Sequence, residues 1–249
     1  MFWDPQTWAL AIPAVIFAGI SKSGFGSGAA FAASSVLALV VDPGVALGIM
    51  LPLLMLIDVA SLKPYWGKWD FRDCVKVILG SIPGVALGAW IYAATNADLL
   101  RFFIGAISIL FVIWQLIRSS IFEEKERNFM TWVAVVTGAT AGFTSFVSHA
   151  GGPPVAVYML SRGISKLTYQ ANSILIFWVI NSFKFVPYTF LGIFTLETMV
   201  ADMILAPFAL LGAWLGVRAH HVVPEKLFRA LTYVMLFLTG GKLIYDALT

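Results

Sequence analysis

Ten apolar runs follow one another along this chain with only short polar or Gly/Pro breaks between them: Trp8–Ile20, Ala29–Val41, Val45–Leu62, Val75–Ala94, Leu99–Ile117, Thr131–Val147, Val155–Leu160, Ala171–Leu191, Met199–Val217 and Leu227–Leu248. Lipid offers no partner for backbone N–H and C=O groups, so a segment that crosses it must bond internally as a helix. Runs this closely spaced leave no stretch for a soluble domain. The sequence is therefore read as one all-α polytopic membrane domain over residues 1–249, a reading that 60% hydrophobic and 12% charged residues and a mean hydropathy of +0.89 support. The start of the chain carries Asp4 and no Lys or Arg ahead of the first run, unlike the basic region of a signal peptide, so the first run is expected to stay. A single cysteine, Cys74, excludes an intrachain disulfide and a cysteine-based metal cluster.

If the chain changes sides at every break, the breaks after the third, fifth, seventh and ninth runs share one face. They hold Lys63, Lys68, Arg72, Lys76, Arg118, Lys125, Arg127, Arg162, Lys166, Arg218, Lys226 and Arg229, which is 12 of the 16 basic residues. Positive charge collects on the cytoplasmic side, so both termini are expected outside. The same distribution explains the pI near 9.0 without nucleic acid, and no nucleic-acid partner is expected.

Three pairs of stretches match across the chain. "PGVALGAW" at Pro83–Trp90 and "PFALLGAW" at Pro207–Trp214 lie 124 positions apart, and the glycine-rich stretch near residue 21 pairs with "GFTSFVSHAGGPP", Gly19 over Gly142 and Gly28 over Gly151, at 123. "LLRFFIGAISILF" from Leu99 and "LFRALTYVMLFLT" from Leu227 lie 128 apart. Each half holds five runs, an odd number, so the second copy enters from the opposite side. The expected architecture is two inverted repeats, about 7–118 and 131–248, a plan shared by many secondary transporters.

Spanning takes about 20 residues, and Val155–Leu160 is far shorter, as are the first two runs. Runs one and two, and six and seven, are expected to pair as re-entrant hairpins of partial helices with tips near the middle, although full spans would have the same parity. The tips would bring Lys22 and His149 face to face. Glycines at a helix start let an ion approach free N–H groups, and the helix dipole favours an anion. Ser21, Lys22, Ser23, Ser27, Gly28, Thr144, Ser145, Ser148, His149, Gly151 and Gly152 are thus candidates for a small-oxyanion site. Asn172, Asn181 and Lys184 in the eighth run could face the same cavity, Asn181 and Lys184 sharing a helix face. Asp58 is a candidate for carrying a coupling proton or for pairing with a base. Ionisable groups inside a membrane usually serve function, but Lys22 snorkelling to an interface, a packing role for His149 and interhelical bonding by the asparagines stay open.

At these motifs the chain resembles the sulfite exporter TauE/SafE family of small bacterial membrane permeases. The resemblance rests on "GISKSGFGSG", "SHAGGPPVAVYMLSRG" and "PFALLGAWLG" and covers nearly the whole chain. It implies transport of sulfite, sulfonates or other sulfur-containing or organic anions across the bacterial inner membrane, and it assigns no site residues. Export would follow an inside-negative potential without a coupling ion, at about 2.3 kcal/mol per charge per 100 mV. A passive anion channel is the alternative. An intramembrane hydrolase using Ser27 or Ser148 with His149 is a weaker one, since no "GxSG" elbow occurs. No "GxxxxGK[ST]" phosphate loop is present, and His220 beside His221 fits a basic cluster better than a ligand pair. No cofactor and no metal are expected. The partners expected are a small anion and the lipid bilayer; the oligomeric state is open, a homodimer being one option.

Overall fold

The computed structural model describes residues 4–25, 29–121, 131–219 and 225–249. The described residues are helical with short connections: α1 (Pro5–Ile20) running into a π turn (Ser21–Phe25), α2 (Phe31–Leu37), α3 (Pro43–Tyr65), α4 (Phe71–Ala93), α5 (Ala97–Ile121), α6 (Thr131–Ser148), α7 (Gly152–Leu160), α8 (Lys166–Phe190), α9 (Leu196–Ala219) and α10 (Glu225–Leu248). Side chains in the breaks start the helices. Asp42 Oδ1 accepts from Gly44 N at 2.8 Å with Pro43 at the first helical position, Asp70 accepts from Arg72 N and Asp73 N, and Ser165 Oγ accepts from Thr168 N at 3.1 Å. Each satisfies an amide that has no partner inside the first turn.

Eight helices among the described residues are long and apolar enough to cross a membrane, and α2 and α7 are not among them. The expected hairpins of two partial helices need correcting. The first arm of each pair is full length, 21 residues for Pro5–Phe25 and 18 for Thr131–Ser148, whereas the second arms have only 7 and 9 residues. The polar stretch at Ser21–Phe25 does not end α1, because its side chains find partners on α3 and the helix continues through them as a π turn, an irregularity common at functional sites.

Glycine sets two of the closest helix contacts. A Cβ on Gly84 of α4 would stand 2.0 Å from Ala139 O of α6, and one on Gly138 or Gly142 of α6 would stand 2.2 Å from Val77 O or 2.3 Å from Ser81 O of α4. On the other side α1 meets α9, where a Cβ on Gly212 would lie 2.4 Å from Ile16 O and one on Gly19 2.7 Å from Ala213 N. Helices that lack a hydrophobic drive to associate in lipid gain from such close backbone approach. The pairing of elements corresponds between halves: α1 and α3 pack on α9, while α6 and α8 pack on α4, and α5 packs on α10.

One hydrogen bond also recurs. Tyr65 on α3 donates to Ser23 O at 3.0 Å, and Tyr188 on α8 donates to Phe146 O at 2.6 Å. Donors and acceptors are each 123 positions apart (188 − 65 = 146 − 23), the spacing of Gly19 and Gly142. Each tyrosine ties the end of a hairpin's long arm to the helix that follows the hairpin.

At the basic face, Asp73 of α4 accepts from Lys76 at 2.9 Å and from Arg162, in the α7–α8 connection, at 3.1 Å. The breaks after the third and seventh runs therefore lie on one side. Arg101 and Lys242 each have an acidic partner on their own helix, Asp98 and Asp246.

Candidate functional site

The π turn at the end of α1 aims Lys22 at α3. Its side chain is 3% exposed, and Nζ donates to Asp58 Oδ2 at 2.6 Å and to Leu54 O at 3.1 Å. Asp58 is fully buried; its Oδ2 also accepts from Asn181 Nδ2 at 3.1 Å, and its Oδ1 has no hydrogen-bond partner. Gln170 on α8 holds the turn itself by donating to Lys22 O at 2.7 Å. Ser23 Oγ and Ser61 Oγ share a bond of 2.7 Å one turn further along α3. Two charges of opposite sign taken out of water together cost far less than either alone, so Lys22 and Asp58 are each the condition for burying the other.

On the far side of Asn181 stands Lys184, also fully buried. Its Nζ approaches His149 Nδ1 at 2.8 Å, Ser145 Oγ at 3.1 Å and Asn181 Oδ1 at 3.3 Å. The roles can be assigned. His149 Nε2 lies 3.2 Å from Leu47 O, and a carbonyl only accepts, so Nε2 carries a proton; in the neutral ring Nδ1 is then the acceptor that faces the lysine. Asn181 gives its amide hydrogens to Asp58, so its Oδ1 faces Lys184 as an acceptor. As an ammonium Lys184 could donate to all three neighbours at once. Among the described residues no carboxylate forms an ion pair with Lys184, whose closest partners are all neutral.

His149 sits there at a cost. It follows α6 in a left-handed conformation, φ 58°, with His149 N bonded to Ser145 O and Ala150 N to Thr144 O. The bond that reaches back four residues from the left-handed position closes many helices, normally with glycine there. A side chain there costs about 1–2 kcal/mol. The two ring contacts, to Leu47 O and to Lys184, hold it in place.

Between these groups lies a cavity of about 10 Å³, lined by Lys22, Ala30, Leu54, Ser145, His149, Phe177 and Asn181. That is room for about one water, too little for an oxyanion. Both tips thus reach one cavity, linked through Asp58, Asn181 and Lys184.

A family model described as sulfite exporter TauE/SafE matches residues 11–243. The chain belongs to this family. No curated protein and no solved structure matches it. The TauE/SafE match includes every member of the polar chain from Lys22 to Lys184.

The other residues proposed from the sequence of this TauE/SafE protein have their polar groups engaged elsewhere or lie apart. Thr144 Oγ1 donates to Thr140 O and Ala150 O, and Ser148 Oγ donates to Thr144 O, so both hydroxyls serve their own turn. Asn172 accepts from Asp70 N at 2.8 Å and meets Met159 Sδ at 3.4 Å, fixing the N-terminal end of α4 and not the cavity. Ser21 and Gly152 are buried, and Gly151 is packed so tightly that a Cβ would meet Ala141 O and Phe177 at 2.8 Å. Ser27, Gly28, His220 and His221 fall outside the described residues. The sequence reading missed Leu47 O, Leu54 O, Phe177, Gln170, Ser61 and the two tyrosines. The 123-residue register would have found several, since it superposes Leu54 on Phe177, Asp58 on Asn181, Ser61 on Lys184, and Pro64–Tyr65 on Pro187–Tyr188. Asp202 on α9, whose Oδ1 is buried without a hydrogen-bond partner, does not line the cavity.

Proposed function

We propose that this TauE/SafE protein is a secondary transporter that moves small sulfur-containing or organic anions, sulfite and sulfonates among them, out across a bacterial inner membrane by alternating access. One observation carries the reading: Lys184 is a fully buried lysine whose hydrogen-bond partners are all neutral. Burying an uncompensated ion costs several kcal/mol, and an arriving anion would supply the missing charge. Lys22, expected from the sequence to hold the anion, is instead neutralised by Asp58. We assign the pair Lys22–Asp58 to holding the closed arrangement, and Lys184 with Ser145, His149 and Asn181 to the anion.

The small size of the cavity supports a carrier over a channel, since an anion must wait for the packing to open. The corresponding tyrosine bonds and helix pairings of the two halves support inverted repeats that could rock about the site. The Asp73–Arg162 pair supports the sidedness that puts both termini outside. A hydrolase reading is disfavoured, because Ser148 Oγ donates to Thr144 O and both nitrogens of His149 are engaged.

Uptake of labelled sulfite into liposomes holding the purified protein, under an imposed potential of either sign, tests the proposal. Saturable flux that follows the potential and is competed by sulfonates is expected. Absence of flux for every anion under both potentials would overturn it.

A further inference from the structure

The buried charges around the cavity can be counted. Lys22 on the π turn and Asp58 on α3 cancel. Lys184 on α8 is placed to donate as an ammonium to three neutral neighbours, the neutral ring of His149 among them. Tyr188 on α8, whose ring lies 5.7 Å from Lys184 Nζ, donates its hydroxyl proton to Phe146 O and adds no charge. Other titratable groups on the packed elements stand further along: Lys63 and Tyr65 on α3, Arg72, Asp73, Cys74, Lys76 and Tyr92 on α4, Tyr158 on α7, Lys166 and Tyr169 on α8, and Asp202 on α9. Of these Asp73 is already balanced by Lys76 and Arg162. Gln170 and Ser145, which complete the surroundings, are neutral. With Lys184 protonated, the immediate site sums to one positive charge.

We propose that the site accepts a singly charged oxyanion and rejects a doubly charged one. The inference rests on the anion-transport reading above and adds the charge class of the substrate. A monoanion brings the closed site to neutrality. A dianion leaves one negative charge uncompensated among groups cut off from water, the arrangement that buried sites avoid. Sulfite would be carried as hydrogen sulfite, and a sulfonate as itself.

The test uses the full-length protein in liposomes with three probes: methanesulfonate, a fixed monoanion; sulfate, a fixed dianion; and sulfite on both sides of the pH at which hydrogen sulfite loses its proton. Methanesulfonate flux is expected to stay level across that range while sulfite flux falls with the hydrogen sulfite fraction. Sulfate is expected neither to move nor to compete. Lys184→Gln should abolish flux of both monoanions, and Lys184→Arg should keep the preference for single charge. Asp58→Asn raises the site to two positive charges and should shift competition toward sulfate by at least about 10-fold. Should that variant fail to fold, the charge moved per methanesulfonate and per sulfite, read from the reversal potential of the wild type, decides instead, with one charge each expected. Equal competition by sulfate and methanesulfonate, or sulfite flux that rises with pH while methanesulfonate stays level, would overturn the inference alone. Absence of all anion flux would overturn the transport reading together with it.

Discussion

The first three helical elements and their counterparts from α6 to α8 share a frame and differ in charge. Tyr65 and Tyr188 clamp the two hairpins through bonds 123 positions apart. Inside that frame, Lys22 has Ser145 at the corresponding position, Asp58 has Asn181, and Ser61 has Lys184. The first half carries a lysine and a carboxylate that satisfy each other, and the second carries a lysine with neutral acceptors only. On the proposed reading the difference separates two jobs: a closed ion pair is a poor ligand, because an incoming anion must first break it, while a buried lysine without a counter-ion gains one from the anion.

The largest test of that contrast removes one member of the closed pair. Lys22→Ala leaves Asp58 buried without its counter-ion and should destabilise the protein by about 3–5 kcal/mol, read as a lowered Tm in detergent. Adding Asp58→Leu should recover most of the loss. A double variant no more stable than the single one would show that Lys22 acts through something other than Asp58.

Lys184→Gln should do the reverse. Removing a charge that has no carboxylate partner leaves Tm unchanged or raised, while anion flux falls at least about 30-fold, the equivalent of about 2 kcal/mol for losing a buried charged contact. A large drop in Tm with flux per folded molecule preserved would make Lys184 structural and erase the distinction between the halves.

The glycine contacts allow a finer comparison. Gly84→Ala forces a methyl to 2.0 Å from Ala139 O, and Gly19→Ala forces one to 2.7 Å from Ala213 N. Both should destabilise, by about 1–3 kcal/mol for overpacking, with Gly84 the costlier. The smallest effect expected is that of the tyrosine hydroxyls. Tyr65→Phe and Tyr188→Phe should each cost about 0.5–1.5 kcal/mol, Tyr188 more, because its bond is shorter and the ring is fully buried. Equal losses would strengthen the correspondence of the two clamps, and no loss in either would remove it.

Much of the fold was legible because lipid leaves few choices. The ten apolar runs became helices with shifted ends, and Val155–Leu160 was recognisably too short to span. What misled was the polar content of Ser21–Phe25 and the flanking glycines, which read as the end of a partial helix. The helix continues there because Asp58, Ser61 and Tyr65, 36 to 42 positions later, answer Lys22 and Ser23. Local sequence carries no trace of a partner that distant. The buried polar cluster was legible to the same extent: Lys22, Ser145, His149, Asn181 and Lys184 stood out as polar groups in apolar runs and are brought together, but Thr144, Ser148 and Asn172 stood out equally and have their hydrogen bonds in a local turn or at another end of the bundle.

The sequence by itself determined that the chain is a helical membrane protein of the TauE/SafE kind and where its polar groups interrupt the lipid-compatible pattern, since both follow from composition, periodicity and motif. Only the tertiary structure decided which lysine is neutralised. That choice depends on which acceptors from α3, α6, α8 and the hairpin turns fall within about 3 Å of each nitrogen, and those distances are set by helix packing across the whole chain.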